Sequence, residues 1–82
     1  MDNDSLPKVI EVSAFSGYKV NERPEYFIMD DSRLEVRKIM ETWIEPDKDC
    51  FKILADDGNV YVLSWDRYSD IWYLEGILQG PL

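Results

Sequence analysis

Clusters of turn-forming residues interrupt this chain about every ten residues, and that spacing constrains the fold more than any other feature. The clusters lie at 16–17, 30–32, 45–49, 56–59 and 66–70. Asp-Asp-Gly-Asn at 56–59 is the strongest of them, because Gly and Asn tolerate the positive φ angles that tight hairpin turns require. The spacing therefore predicts a small antiparallel meander that closes on itself.

The segments between the clusters carry residues that strands favour, many of them β-branched, aromatic or alternating with polar residues. Candidate strands are 8–12, 26–29, 51–55, 60–63 and 71–74. Residues 60–63 are apolar on both faces, which is typical of a central strand covered on both sides. A chain of 82 residues has room for a single core. We expect one β domain over 8–76, with flexible tails at 1–7 and 77–82.

Residues 33–45 fit two structures. Five apolar residues follow the spacing of one helix face: Val36, Ile39, Met40, Trp43 and Ile44. The alternative is a long strand whose apolar parity switches near Arg37 and Lys38, as one inserted residue at a β-bulge would cause. The local pattern favours the helix slightly, whereas the β context on both sides favours the bulged strand.

The composition excludes several classes of protein. Seventeen acidic residues against nine basic ones give a net charge of −8, there is no histidine, and Cys50 is the one cysteine. An internal disulfide and a zinc site that uses histidine are therefore impossible, and the charge makes a nucleic-acid partner unfavourable. The N-terminus lacks a secretory signal, and no apolar run approaches the roughly 20 residues of a membrane helix. We expect a cytoplasmic protein with no membrane contact.

An ordered series of motifs runs through most of the chain. It comprises Ser16-Gly17-Tyr18-Lys19, Arg23-Pro24-x-x-Phe27, Val36-x-x-Ile39-x-x-x-Trp43, Asp49-x-Phe51-x-Ile53, Asp57-Gly58-x-x-Tyr61-x-Leu63-x-x-Asp66 and Trp72-x-Leu74. In these motifs the chain resembles a family of short prokaryotic cytoplasmic proteins of unknown function, some of which are associated with translesion-polymerase-like DNA-repair proteins. The resemblance implies a small all-β domain, which favours the bulged strand over the helix at 33–45. It brings no catalytic residues, and the chain departs from the family at Asp31, where relatives have Gly, and at Cys50, where an aromatic residue is common.

No residue pattern indicates catalysis, a metal or a cofactor. Asp-Asp-Gly-Asn at 56–59 offers too few oxygen ligands for a calcium loop, and a hairpin turn explains it better. The chain has no histidine to activate Cys50, and the neighbouring Asp49 would raise the pKa of its thiol, so we interpret it as a passive strand residue. The four glycines do not form a phosphate-binding loop. We therefore predict that the protein is not an enzyme and binds no cofactor.

Aromatic residues are the distinctive feature, with three Trp and five Tyr. We expect Trp43 and Trp72 to be core residues, because large rings supply the burial that a small barrel needs. Trp65 and Tyr68 flank a turn and are candidates for exposure, where aromatic rings near arginine are typical anchors of protein interfaces. Arg23 has two interpretations, a salt bridge that ties its loop to the sheet or a contact for an anion. The candidate binding residues are Tyr18, Arg23, Trp65 and Tyr68.

The sequence thus predicts an all-β fold, a strongly bent antiparallel sheet or SH3-like barrel of five to six strands with a bulged strand at about 33–45. The alternative is an α+β fold with one helix there. We predict a non-enzymatic module that binds another protein through exposed aromatics, monomeric or weakly self-associating. The alternative is an accessory domain for single-stranded nucleic acid or a DNA-repair complex. That function requires Arg33, Arg37, Lys38 and Lys52 to gather on one face.

Overall fold

The computed structural model describes residues 6–15 and 23–78, except for the side chains of 14, 15 and 23. The strands are β1 (Lys8–Phe15), β2 (Arg23–Met29), β3 (Ser32–Ile44), β4 (Lys48–Ala55), β5 (Val60–Asp66) and β6 (Ile71–Leu78). Each strand pairs antiparallel with the next, and β1 also pairs with β6, so the sheet closes into a barrel. The all-β prediction is confirmed in its closed, six-stranded form. Residues 6–15 and 23–78 contain no helix long and apolar enough to span a membrane.

The long strand β3 confirms the bulged-strand interpretation of 33–45. Two irregularities occur in its pairing with β4, so that Arg37 and Met40 are the extra residues on the β3 side. The sequence predicts the first bulge, near Arg37, but not the second. Because each bulge sharpens the local twist, β3 turns a corner of the barrel. Its first residues, Ser32–Glu35, pair with β2, and the rest pairs with β4.

Strand β1, like β3, pairs with a different neighbour in each of its two halves. Its residues Lys8–Ile10 pair with β6, whereas Glu11–Phe15 pair with β2. The barrel therefore consists of two sheets that share β1 and β3. This arrangement lets a short chain enclose a core without leaving β1 or β6 as a free edge along its whole length.

The interior is filled by residues that alternate inward along the strands. The buried cluster comprises Ile10, Phe27, Phe51, Ile53, Ala55, Tyr61, Leu63 and Leu74. Phe27, Ile53, Leu63 and Leu74 are fully buried, and each such side chain contributes roughly 1.5–3 kcal/mol of transfer free energy. In β5 the outward-facing Val60 and Ser64 are also buried, whereas Val62 between them is half-buried, so the outer face of the strand predicted as covered on both sides is covered in part.

The two tryptophans predicted as core residues have different positions. Trp72 packs against the buried cluster, as predicted. Trp43 is 37% exposed, so its prediction as a core residue is wrong. The second bulge in β3 reverses the change of face that the first one causes, so Trp43 lies opposite Cys50, a residue of the outer face. Its indole Nε1 donates a hydrogen bond to Glu45 at 3.2 Å.

Alternating strand directions define two ends of the barrel. The connections β1–β2, β3–β4 and β5–β6 lie at one end, whose described parts, residues 44–49 and 65–70, we call the turn end. The connections at 30–31 and 56–59 lie at the other end, which we call the hairpin end. Strand β6 continues to Leu78, opposite Val60, so ladder pairing extends two residues into the segment predicted as a C-terminal tail. Of the two predicted tails, residues 1–5 and 79–82 lie outside the described residues.

Candidate interaction surface at the turn end

Arg67 fastens the two described turns of the turn end to each other. Its backbone N–H donates to the carbonyl oxygen of Asp47 at 3.1 Å. Its guanidinium donates to the carboxylate of Asp49 and to the carbonyl oxygens of Glu45 and Pro46. Asp49 is buried and lies on the inward face of β4. This arginine therefore points into the barrel and holds the β3–β4 turn against the β5–β6 turn.

The β5–β6 turn is held in one shape by Asp66. Its Oδ1 atom accepts hydrogen bonds from the backbone N–H groups of Tyr68 at 2.9 Å and Ser69 at 3.1 Å. These donors hold the pKa of the Asp66 carboxyl below its usual value, so the group stays ionised at neutral pH. Asp70 closes the turn with a backbone bond to Asp66 and a φ of 60°. At the tip of this fixed turn, Tyr68 is 81% exposed.

Trp65 links this surface to the core. Its ring centroid lies 6.3 Å from that of Trp72, which in turn lies 5.6 Å from Phe51. The indole N–H of Trp65 donates to Asp70 Oδ1 at 2.8 Å. Trp65 is half-buried. Packing against the ring of Trp72 and the hydrogen bond to Asp70 together specify the orientation of its indole ring. Its orientation is therefore fixed before any partner binds.

Of the four predicted binding residues, the structure describes the side chains of two. Trp65 and Tyr68 both lie at the turn end. Arg23 opens β2 opposite Phe15, at that same end, but its side chain is outside the described atoms. Tyr18 lies outside the described residues. The grouping of all four on one surface stays a prediction.

Ile44 belongs to this surface although the sequence did not single it out as a binding residue. It is 74% exposed and lies opposite Asp49, which lies opposite Trp65 on the next strand. A single exposed apolar side chain is ordinary on a protein surface, so Ile44 matters here as apolar area close to Trp65 on the paired strands. Its position depends on the two bulges of β3, and the second of these has no sequence signal.

Acidic residues predominate at the turn end. Its described part carries five carboxylates, those of Glu45, Asp47, Asp49, Asp66 and Asp70, against the two cations Lys48 and Arg67. Both cations are engaged in ion pairs: Arg67 with Asp49, and Lys48 with Glu75 at 3.3 Å. The exposed aromatic ring thus lies in a negative local field.

A polar network on the outer face lies beside the turn end. Ser64, which is fully buried, donates to Glu75 Oε2 at 2.7 Å, and Lys48 Nζ donates to the same oxygen. The hydrogen bond to Glu75 raises the pKa of Lys48. Pro7 and Tyr73 help to line a shallow cleft of about 200 Å³ above these groups. The sequence did not indicate this network, because its members come from three different strands.

The interpretation of Cys50 as a passive strand residue agrees with its surroundings. Its side chain is buried, and burial, reinforced by the charge of Glu45, raises the pKa of the thiol to about 11. The thiol is therefore protonated at neutral pH and is a poor nucleophile. Among the described residues no group of three or more metal-ligating side chains occurs.

Two of the four cations required for nucleic-acid binding, Arg33 and Lys52, lie next to carboxylates, whereas Arg37 and Lys38 help to line a cleft of about 250 Å³. Arg33 pairs with Glu35 at 2.9 Å and lies 3.7 Å over the ring of Tyr26. Lys52 lies opposite Glu41 in the register of β3 and β4. These pairings reduce the positive potential that a phosphate backbone needs.

Comparison with known proteins finds no matching family, no matching curated protein and no matching solved structure. The resemblance to a family of short prokaryotic proteins therefore stays a prediction, and the function has to follow from the chain itself.

Proposed function

We propose that this protein is a non-enzymatic interaction module that binds another protein through the turn end. The observation that carries the proposal is Tyr68, exposed at the tip of a turn that Asp66 and Arg67 hold in one conformation. A tyrosine in this position contributes almost nothing to the core. Because its backbone is already ordered, docking a partner on it costs little conformational entropy.

Neighbouring apolar groups support the same proposal. Ile44 is largely exposed, and Trp65 is half-buried with its ring held by Asp70. Interfaces are enriched in aromatic anchors surrounded by polar groups, and the turn end has that composition. The resemblance adds a proposed cytoplasmic setting and a partner in DNA repair.

The other functions considered receive less support. Cys50 is buried and protonated, so it does not favour nucleophilic catalysis. For single-stranded nucleic acid, Arg33 and Lys52 face carboxylates rather than an open groove. Absence of binding to labelled oligonucleotides at about 50 mM salt, where phosphate contacts are strong, would agree with this view.

Affinity capture from lysate of the native host tests the proposal. The wild type is compared with Tyr68→Ala and with Val9→Ser, which alters an exposed apolar residue on β1. We expect a partner that the wild type and Val9→Ser retain in equal amounts and that Tyr68→Ala loses, measured by quantitative mass spectrometry. Equal capture by all three proteins, or no specific capture, would contradict the assignment of the turn end.

A further inference from the structure

We propose that the partner segment docking at the turn end presents an arginine, which stacks on Tyr68 and pairs with Asp47 and Asp70. This inference rests on the proposed function and adds the chemistry of the partner. It commits to one occupant, a basic segment of another protein.

These three residues belong to the two turns that a backbone bond joins at the turn end. The backbone N–H of Arg67 donates to the carbonyl oxygen of Asp47. Because Arg67 directly precedes Tyr68, this bond brings the backbone of Asp47 close to that of Tyr68. Asp70 follows Tyr68 by two positions in the same turn. Asp47, Tyr68 and Asp70 are all exposed, and Asp70 Oδ1 also accepts the indole N–H of Trp65.

An arginine matches this arrangement better than other side chains. Its planar guanidinium stacks on an aromatic face and forms paired hydrogen bonds with a carboxylate at the same time. The two described cations of the turn end cannot take this role, because Arg67 points inward to Asp49 and Lys48 bonds to Glu75. Charge complementarity therefore selects a positively charged partner.

Other occupants meet electrostatic opposition. A second copy of this chain carries the same net charge of −8 and the same acidic turn end. A nucleic acid presents phosphates to these carboxylates. Self-association of the purified chain, or binding of labelled oligonucleotides that Asp47→Asn with Asp70→Asn strengthens, would contradict the inference of a basic protein segment.

Selection from a random peptide library displayed on phage identifies the side-chain chemistry that the turn end prefers, whichever protein supplies the natural segment. We expect peptides selected on the wild type to be enriched in arginine beside an apolar residue. The test variant is Asp47→Asn with Asp70→Asn; asparagine keeps an acceptor for the Trp65 N–H and tolerates the positive φ of Asp70. The control is Asp31→Asn with Asp56→Asn at the hairpin end, which changes the net charge equally.

For a selected peptide, fluorescence anisotropy with the purified full chain should show about five- to tenfold weaker binding to the test variant, as expected for the loss of two exposed ion pairs. The control variant should bind like the wild type. Tyr68→Phe should keep the preference for arginine over glutamine in the peptide, and Tyr68→Leu should reduce it. Thermal unfolding of each variant verifies that it is folded.

The outcomes separate the two proposals. Selected peptides that need Tyr68 but show no enrichment in arginine, or that bind the test and control variants equally, would overturn the arginine inference and leave the interaction module standing. Peptides that are indifferent to Tyr68, or a selection with no enrichment at all, would overturn both.

Discussion

At the hairpin end the ring of Tyr61 points into the barrel, whereas at the turn end the ring of Tyr68 lies in solvent. Tyr61 is 2% exposed, and its hydroxyl donates to Asp57 Oδ2 at 2.6 Å. Each end thus has a tyrosine and an aspartate-rich turn, but only at the hairpin end does the ring serve the fold. The exposed ring is therefore not needed to close a barrel of this kind.

The two ends also differ in the groups that link distant parts of the chain. At the hairpin end, the backbone N–H of Asp56 donates to the carbonyl oxygen of Glu35 at 3.0 Å, and the side chain of Asp57 bonds locally, to Asn59 and Tyr61. At the turn end, the side chain of Arg67 reaches residues 18 to 22 positions away. The main long-range link is therefore a backbone bond at the hairpin end, whereas at the turn end most of it comes from one side chain.

Removal of the Arg67 side chain should have the largest effect on stability of any change at the turn end. We expect Arg67→Ala to lower the free energy of unfolding by about 3 kcal/mol, because the buried carboxylate of Asp49 loses its partner. Chemical denaturation measures this loss. In a double-mutant cycle, Asp49→Asn should recover part of it; a loss below about 1 kcal/mol, typical of exposed pairs, would show that Arg67 does not hold the end together.

At the hairpin end, Tyr61→Phe should cost about 1 kcal/mol, the usual value for one hydrogen bond. Although burial opposes ionisation, the hydrogen bonds from Tyr61 and Asn59 hold the pKa of Asp57 below its usual value. A lowered folded-state pKa gives stability that is present above the unfolded value of about 4 and is lost as the pH falls through the lowered one. The difference between wild type and variant should therefore shrink in acid, as measured by urea denaturation; a constant difference would contradict this linkage.

The second hairpin-end turn offers a smaller, stabilising change. Asp30 and Asp31 both have positive φ angles, 52° and 66°, between the paired residues Met29 and Ser32. Gly adopts this conformation without strain, so Asp31→Gly should raise stability by about 0.5 kcal/mol. The thermal midpoint of the variant reports the change. A drop in the midpoint would show that the aspartate side chain contributes more than its backbone costs.

The smallest expected effect belongs to the exposed ring. Tyr68→Ala should change the free energy of unfolding by less than about 0.5 kcal/mol, because the side chain is outside the core. Tyr61→Ala provides the contrast and should cost about 3 kcal/mol or more. If the two substitutions destabilise the protein alike, Tyr68 is a structural residue and the contrast between the two ends fails.

Much of the fold could be predicted because its signals are local. The turn at 56–59 and the alternation of Phe51, Ile53 and Ala55 depend on a few adjacent residues, and each lies where the sequence places it. The bulge near Arg37 is visible in the sequence as a change in the alternation of apolar and polar residues along 33–45. The bulge at Met40 has no such signal, so a sequence-based prediction misses the placement of Trp43 on the outer face and of Ile44 opposite Asp49.

The surface was harder to predict than the fold, because it depends on contacts between distant strands. Turn chemistry indicated exposure near Tyr68, and the structure shows it. Nothing in the sequence indicates that Arg67 turns inward to Asp49 rather than outward to a partner. Similarly, the link between Lys48 and Glu75 spans 27 positions and becomes visible only when β4 and β6 flank β5.

The closure of the barrel has a consequence for how it assembles. Strands β4 and β5 share seven residue pairs close in sequence, but β1 and β6 share only three, between residues more than sixty positions apart. Long loops close late in folding, so the β3–β6 meander should form first and β1 should join it last. The same junction should open first in the native state, giving the amides of Lys8–Ile10 faster hydrogen exchange than those of β5. The barrel is thus a closed structure with one weak junction.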